Sequence, residues 1–286
     1  EISPRDWSSD VCSSDLGTLR FASLVYEPNE RLLDWLEAQV RKLGVDVRLE
    51  TEVTPELVRA LAPDEILVAA GATREKPAIL GVEREHVFDG DDLRALLTGQ
   101  GDGSAAKKLS LMGRLAVRAG RATGITGRPA RLREASKAWM PLGKEVVVIG
   151  GGLVGLELAE FLAERGRKVV VLEAGPRLGL ELAHPRRWRV LHELRTLGVE
   201  LVTNAVVREI GEREVAYEIR TSPSEGRLGS AQADHVILAV GLTANPAIAA
   251  RLKETGVPIR EIGDVTGVGY LEGAIRDGFE AALDLG

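Results

Sequence analysis

The chain has 286 residues, 44% of them apolar and 28% charged, with a formal net charge of −6. That length suits two domains with a sizeable core, while the acidic balance and 4% aromatic content argue against a nucleic-acid binder. A single cysteine, Cys12, excludes an intrachain disulfide, a CxxC redox pair and a cysteine-held zinc or iron–sulfur site, and no run of 18 apolar residues is available to span a membrane.

In chain order, residues 1–16 come first. The run from Arg5 to Leu16 is similar to a translated sequencing adapter and has neither the apolar core of a signal peptide nor transit-peptide character. It is expected to be an artefact leader, so that Cys12 is not native and the biological chain enters at about Gly17. Leu19 to Val25 reads as an extended segment. Asn29 is placed to cap a helix from about Glu30 to Leu43, with Leu32, Leu33, Leu36, Val40 and Leu43 at helical spacing and Gly44 as the stop. Val45 to Leu49 reads as a short strand. Thr54 and Pro55 form a cap and first-turn pair for a second helix. Glu65 to Ala69 is an apolar strand running into Ala70-Gly71-Ala72. This alternation predicts a parallel sheet with helices on its faces.

Residues 82–143 are less regular and are expected to connect one domain to the next. They hold a basic stretch of Arg114, Arg118, Arg121, Arg128, Arg131 and Arg133. That stretch is either a contact for an acidic partner or cofactor phosphate, or a solvated connector. The next domain is expected over 144–241. Its second half holds a helix starting at Pro185, with Val190, Leu191, Leu194 and Leu197, closed by Gly198. A strand follows over Val199 to Val202. Ala205 to Ile210 and Val215 to Ile219 form an antiparallel meander, Ser222 to Ser230 a polar turn, and Asp234 to Val240 a buried strand ending at Gly241. The last segment, 242–286, carries Ile259 to Gly263, Asp264 and a helix from about Leu271 to Leu283.

The decisive stretch is Glu145 to Glu173. A strand, Glu145 to Ile149, enters the turn Gly150-Gly151-Gly152-Leu153-Val154-Gly155 and then an apolar helix, and a second strand ends at Glu173. This is a dinucleotide-binding fingerprint in its required strand–turn–helix–strand context. Gly150 permits the sharp turn, Gly152 the close approach of a pyrophosphate, and Gly155 the packing of helix on strand. Amides and dipole at the helix start favour phosphate. Glu173 follows Gly150 by 23 positions, near the roughly 20 typical of a carboxylate that accepts from the ribose hydroxyls. An acid there repels a 2′-phosphate, so NAD(H) is expected over NADP(H). Glu157 would either lie near the nicotinamide ribose or be a first-turn acid favoured by the dipole. The four histidines, His86, His184, His192 and His235, lack metal-ligand spacing, and no Gly-x-Ser-x-Gly elbow is present. No side chain is singled out as catalytic or as a metal ligand.

Three further pieces surround the fingerprint: Leu67-Val68-Ala69-Ala70-Gly71-Ala72 with Pro77 and Gly81; Ala239-Val240-Gly241-Leu242 with Asn245 and Pro246; and Ile262-Gly263-Asp264 with the helix over Ala274 to Ala282. In this order they resemble the two-dinucleotide-binding-domain flavoproteins. The resemblance implies an α/β fold of two Rossmann-like domains, the NAD domain inserted into a split and N-terminally truncated FAD domain over 17–81 and 242–286. It implies that Gly71 and Asp264 serve the flavin, Asp264 on the ribityl chain, and it adds Gly241 to the cofactor-binding residues. Taken singly, Gly71 also fits an ordinary strand end, and Gly263-Asp264 an ordinary turn. Leu19-Arg20-Phe21-Ala22, Pro28, Trp35-Leu36, Lys42 to Val45, Val53-Thr54 and Met140 to Lys144 narrow the match. They look like the C-terminal half of the 2,4-dienoyl-CoA reductase and trimethylamine dehydrogenase group of the NADH:flavin oxidoreductase family. That resemblance implies FAD, and upstream of Gly17 both the first glycine fingerprint and a barrel module with FMN and a 4Fe–4S cluster that reduces an enoate-type substrate. It implies a cytoplasmic enzyme with nicotinamide nucleotide, flavin and the barrel as partners, no nucleic acid and no membrane, and it leaves a homo-oligomer open. Two other readings stand beside it: a static adenine-nucleotide-binding module, and a disulfide-reductase-like flavoprotein.

Overall fold

A computed structural model describes residues 7–10, 16–49, 51–98, 108, 129–222 and 225–285. Along the chain run β1 (Trp7–Asp10), α1 (Thr18–Val25), α2 (Pro28–Lys42), β2 (Asp46–Leu49), α3 (Pro55–Leu61), β3 (Ile66–Val68), β4 (Thr73–Arg74), β5 (Val87–Phe88), α4 (Gly90–Thr98), α5 (Pro129–Ala138), β6 (Glu145–Ile149), α6 (Leu153–Ala163) and β7 (Lys168–Leu172). Then come α7 (His184–Thr196), β8 (Glu200–Val202), β9 (Ala205–Ile210), β10 (Glu214–Ser222), β11 (Glu225–Gln232), β12 (His235–Leu238), β13 (Leu242–Thr243), α8 (Ala247–Leu252), β14 (Ile259–Glu261) and α9 (Tyr270–Asp284). They form two compact units. One is discontinuous, Glu1–Leu19, Leu33–Glu75 and Gly241–Gly286; the other comprises Arg20–Leu32 and Lys76–Val240.

The second unit is built on a five-stranded parallel sheet of order β5-β12-β6-β7-β8. Its centre is apolar without interruption because both faces are covered. Val146 and Val148 of β6 point into a core with Leu156 and Phe161 of α6 and Val190 and Leu194 of α7. Val147 and Ile149, on the other face, pack with Ile210, Val215, Tyr217 and Ala231 of the antiparallel sheet β11-β10-β9. Asp234 pins the start of β6: its Oδ2 accepts from Lys144 N at 2.8 Å and Glu145 N at 3.0 Å. Those backbone donors hold its carboxyl below the usual range.

Four expectations are corrected. Leu19 to Val25 is a helix, not an extended segment. Phe21, Leu24 and Val25, at i, i+3 and i+4, turn one face into the α6 core, a helical signal in a run too short for its period to be decisive. The next helix starts at Pro28 rather than Glu30, with proline supplying the first turn as it lacks the orphan N–H. Ser222 to Ser230 is not one turn: β11 pairs with β10 from Glu214↔Gln232 to Ser222↔Glu225. It reads as polar because most of its residues face outward. The segment 82–143 is more than a connector. Val87 and Phe88 pair with Val236 and Ile237 as the sheet's edge strand, and Asp89 caps α4 by accepting from Asp91 N and Asp92 N, each at 2.9 Å. Arg114, Arg118, Arg121, Arg128 and Cys12 lie outside the described residues. Arg133 makes internal contacts, donating to Ser23 O at 2.8 Å and pairing with Glu30 at 2.9 Å.

The first unit holds three two-stranded pieces: β1-β2 and β3-β14, both parallel, and the antiparallel β4-β13. Trp7–Asp10, within the expected leader, is therefore a strand along β2. A small core of Val58, Val68, Ala249, Leu252 and Val265 joins α3, β3 and α8. The Thr54 hydroxyl accepts from Leu57 N at 3.3 Å, as its cap role requires.

Where α7 crosses α6, acids meet. Burial, a hydrogen bond with Glu193, and the charges of Glu193, Glu164 and Glu157 push the Glu160 carboxyl up to about 7. The folded chain keeps a proton that the unfolded chain releases near the ordinary value of 4.5. This contribution to stability is fully present below about pH 4.5 and is lost as pH rises through about 7. Melting scans should therefore show Tm falling by a few degrees between those limits. Glu160→Gln should flatten that part of the profile, and an unchanged slope in the variant would refute the assignment.

Candidate dinucleotide-binding site

The glycine turn leaves the C-terminal end of β6, where the strand order reverses: the chain proceeds from β6 to β7 and β8 on one side and returns as β12 on the other. A crevice at such a reversal is where open α/β sheets take ligands. Gly150 has φ +109°, a value that side chains avoid, and its N–H donates to Leu172 O at 2.8 Å. Gly155 lies where helix meets strand; a Cβ there would be 1.9 Å from the Gly150 carbonyl oxygen. Gly152 is the N-cap of α6 and supplies no side-chain cap. The first amides of α6, at Leu153 and Val154, have no intrahelical acceptor by geometry, so this end can take an anion.

Glu173 follows β7, and both of its carboxylate oxygens are engaged. Oε2 accepts from Gly151 N and Oε1 from Gly175 N, each at 2.7 Å. The acid therefore braces the turn from the inside. Each oxygen retains a second lone pair able to accept a hydroxyl. This bracing is beyond what the sequence reading proposed for Glu173, and Gly175, two residues on, was its available signal. Glu157 lies in the second turn of α6, only 7% exposed, and is ion-paired with Arg186 of α7. It is thus a buried, paired acid rather than a first-turn one. Burial pushes its carboxyl up and Arg186 opposes the shift. The Arg186 guanidinium in turn lies 4.0 Å from the centre of the Tyr26 ring.

In the first unit, Gly71 lies three residues beyond β3, and the Gly241 carbonyl accepts from Glu75 N at 2.7 Å. Asp264 lies in a 3-10 turn, Gly263–Val265. Its Oδ1 accepts from Gly269 N at 2.8 Å and Tyr270 N at 3.1 Å, holding the start of α9. Oδ2 has no hydrogen-bond partner among the described residues. Sequence reasoning placed Asp264 before a helix but not as the residue that fastens it.

Among the described residues no group of His, Cys, Asp and Glu has a metal-binding arrangement. No described helix is long and apolar enough to cross a membrane. The β5–β12 pairing brings His86 and His235 together, Val236 N donating to His86 O at 3.0 Å; His235 Nδ1 accepts from Gly143 N at 2.9 Å, and His192 stacks on Trp188.

A glycine turn between a buried parallel strand and an uncapped helix, braced by the acid of the next strand, defines a Rossmann-type dinucleotide-binding domain. Residues 55–268 match the pyridine nucleotide-disulphide oxidoreductase family, and the chain belongs to that family, whose cofactors are FAD and NAD(P)H. An NADH oxidase of Thermoanaerobacter brockii is 30% identical over 88% of this chain and 32% of its own length. A bilirubin reductase of Mediterraneibacter gnavus is 30% identical over 93% and 35%. The solved structure of a 2-naphthoyl-CoA reductase superposes with TM-score 0.73 at 24% identity, covering 96% of this chain and 35% of the other. Histamine dehydrogenase from Rhizobium sp. 4-9 gives 0.70 at 17%, covering 97% and 39%. At such identities the two structures establish a shared fold. The chain spans about a third of the length of each of these four proteins.

Proposed function

We propose that this chain is the electron-input portion of a flavin-dependent NADH oxidoreductase of the 2,4-dienoyl-CoA reductase and trimethylamine dehydrogenase type. The observation that carries the reading is the glycine turn braced by Glu173. Family membership and relatives about three times as long support it. On this reading the amides of Gly151 to Gly155 receive the NADH diphosphate, and Glu173 accepts from the adenosine ribose hydroxyls. Gly71 and Asp264 contribute to the flavin site, Asp264 through its Oδ2, which has no partner among the described residues, and Gly241 adds to cofactor binding. A bound flavin accepts hydride from NADH and passes the electrons on. Those electrons would go to an upstream barrel with FMN and a 4Fe–4S cluster, acting on an enoate-type substrate. The chain's own contribution is position and electrostatics. A dithiol mechanism has little support within this sequence, whose one cysteine is Cys12.

Anaerobic titration of the full-length protein with NADH should bleach the flavin. ADP binding without any bleaching would instead identify a static nucleotide module and overturn the electron-transfer reading. Glu173→Ala should weaken both cofactors through the lost bracing of the turn, and NADH roughly tenfold more than NADPH, the scale of a lost charge-assisted hydrogen bond. Equal losses for both cofactors would remove the ribose role.

A further inference from the structure

The segment between β7 and α7 folds against the glycine turn. Gly179 N donates to Gly151 O at 2.7 Å, and Arg187 Nε donates to Leu178 O at 2.6 Å. Leu178 is buried directly under Gly151, where an added Cβ would lie 2.2 Å from Leu178 Cδ2. Leu182 is buried as well, with its N–H on Gly179 O at 3.2 Å. Between these anchors stand Leu180 and Glu181, both exposed. The Glu181 carboxylate is set against Gly152: its two oxygens lie 3.0 and 3.5 Å from the position of the absent Cβ. Gly152 is the glycine whose missing side chain leaves room for a diphosphate, and the helix it starts has no side-chain cap.

Glu181 has neither a cation nor a hydrogen-bond donor among the described side chains. A carboxylate beside the positive end of a helix is favourable by itself. A diphosphate brought to the same amides meets that charge at close range, and the repulsion acts in the opposite sense.

We propose that Glu181 is an internal anion occupying the mouth of the phosphate-binding turn, so that a nucleoside diphosphate binds only by displacing it. This rests on the nucleotide-binding reading of the turn. The loop then lowers affinity in proportion to phosphate charge, does not act on the adenosine part, and makes binding sensitive to salt. Because the segment is anchored at both ends, a rotation of the Glu181 side chain suffices to clear the mouth, and the backbone hydrogen bonds stay.

Calorimetry with ADP and with adenosine on the intact chain tests this. Glu181→Gln should bind ADP about fivefold more tightly than the wild type at low ionic strength. The difference should shrink as salt is raised, and adenosine affinity should not change. Leu180→Ala, which alters the same loop without touching the charge, should leave ADP affinity at the wild-type value. Equal ADP affinity in wild type and Glu181→Gln overturns the inference while leaving the nucleotide site intact. Equal tightening by Leu180→Ala overturns it too, since loop loosening would then be the cause. If neither wild type nor Glu181→Gln binds ADP, the nucleotide reading itself fails and this inference goes with it.

Discussion

Gly155→Ala is expected to lower the stability of the second unit by about 3 kcal/mol and to weaken ADP roughly a hundredfold, the scale of a reacting or binding geometry displaced by about 1 Å. The added Cβ would meet the Gly150 carbonyl oxygen at 1.9 Å and Ala239 Cβ at 3.3 Å. Neither neighbour is the tip of a flexible side chain, so relief requires α6 to lift away from β6. That motion carries the helix amides off the anion position, which is why stability and binding should fall together. Gly278→Ala is the matched control. Gly278 lies in α9 with open space around it, so the change should stabilise by about 0.5–1 kcal/mol through helix propensity. Melting curves and ADP calorimetry on both variants decide the matter. A Gly155→Ala protein that melts and binds like the wild type would remove the close helix–strand approach from the account.

Arg165→Ala is the second substitution with a large expected effect, a loss of about 3 kcal/mol. The Arg165 side chain is 1% exposed. It donates to Ser136 Oγ and to Phe161 O, each at 2.7 Å, and lies 3.4 Å from the centre of the Phe161 ring. Ser136 Oγ in turn donates to Arg133 O at 2.7 Å. Arg133 reaches Ser23 O and Glu30, so two guanidinium groups in series tie α6 to α5 and α5 to the Arg20–Leu32 segment. Truncation removes the donor and leaves buried acceptors without it. Arg165→Met, which keeps most of the apolar stem, should recover part of the loss. Urea denaturation of the three proteins measures this, and a loss below about 1 kcal/mol for Arg165→Ala would show that the network is dispensable.

Neither substitution was equally visible in the sequence. The close approach of Gly155 follows from the fingerprint spacing alone, because a strand, a sharp turn and an apolar helix leave few ways to pack. Arg165 carries no such mark: it lies in a run of polar residues after α6, and while Phe161 O is a local partner four residues back, only the fold brings Ser136 to it. The basic stretch divides in the same way. Composition left Arg133 open as a phosphate contact or a solvated residue, and the structure spends it on internal carbonyls and Glu30.

Local patterns, each enforced within some thirty residues, settled the mid-chain strand–turn–helix–strand unit, the helix closed by Gly198, the β9–β10 pairing and the Thr54 cap. These rest on periodicity, glycine geometry and capping, which need no distant partner. Long-range pairing decided the rest. Val87–Phe88 is a strand only because β12 offers an edge to it, and Leu19 to Val25 coils only because a core accepts Leu24. Glu173 braces the turn, Glu157 pairs with Arg186, and Glu181 faces Gly152 because separate elements converge on the first two turns of one helix. Side-chain direction at such a convergence depends on the packing of elements far apart in the chain, and residue order alone does not encode it in any short window.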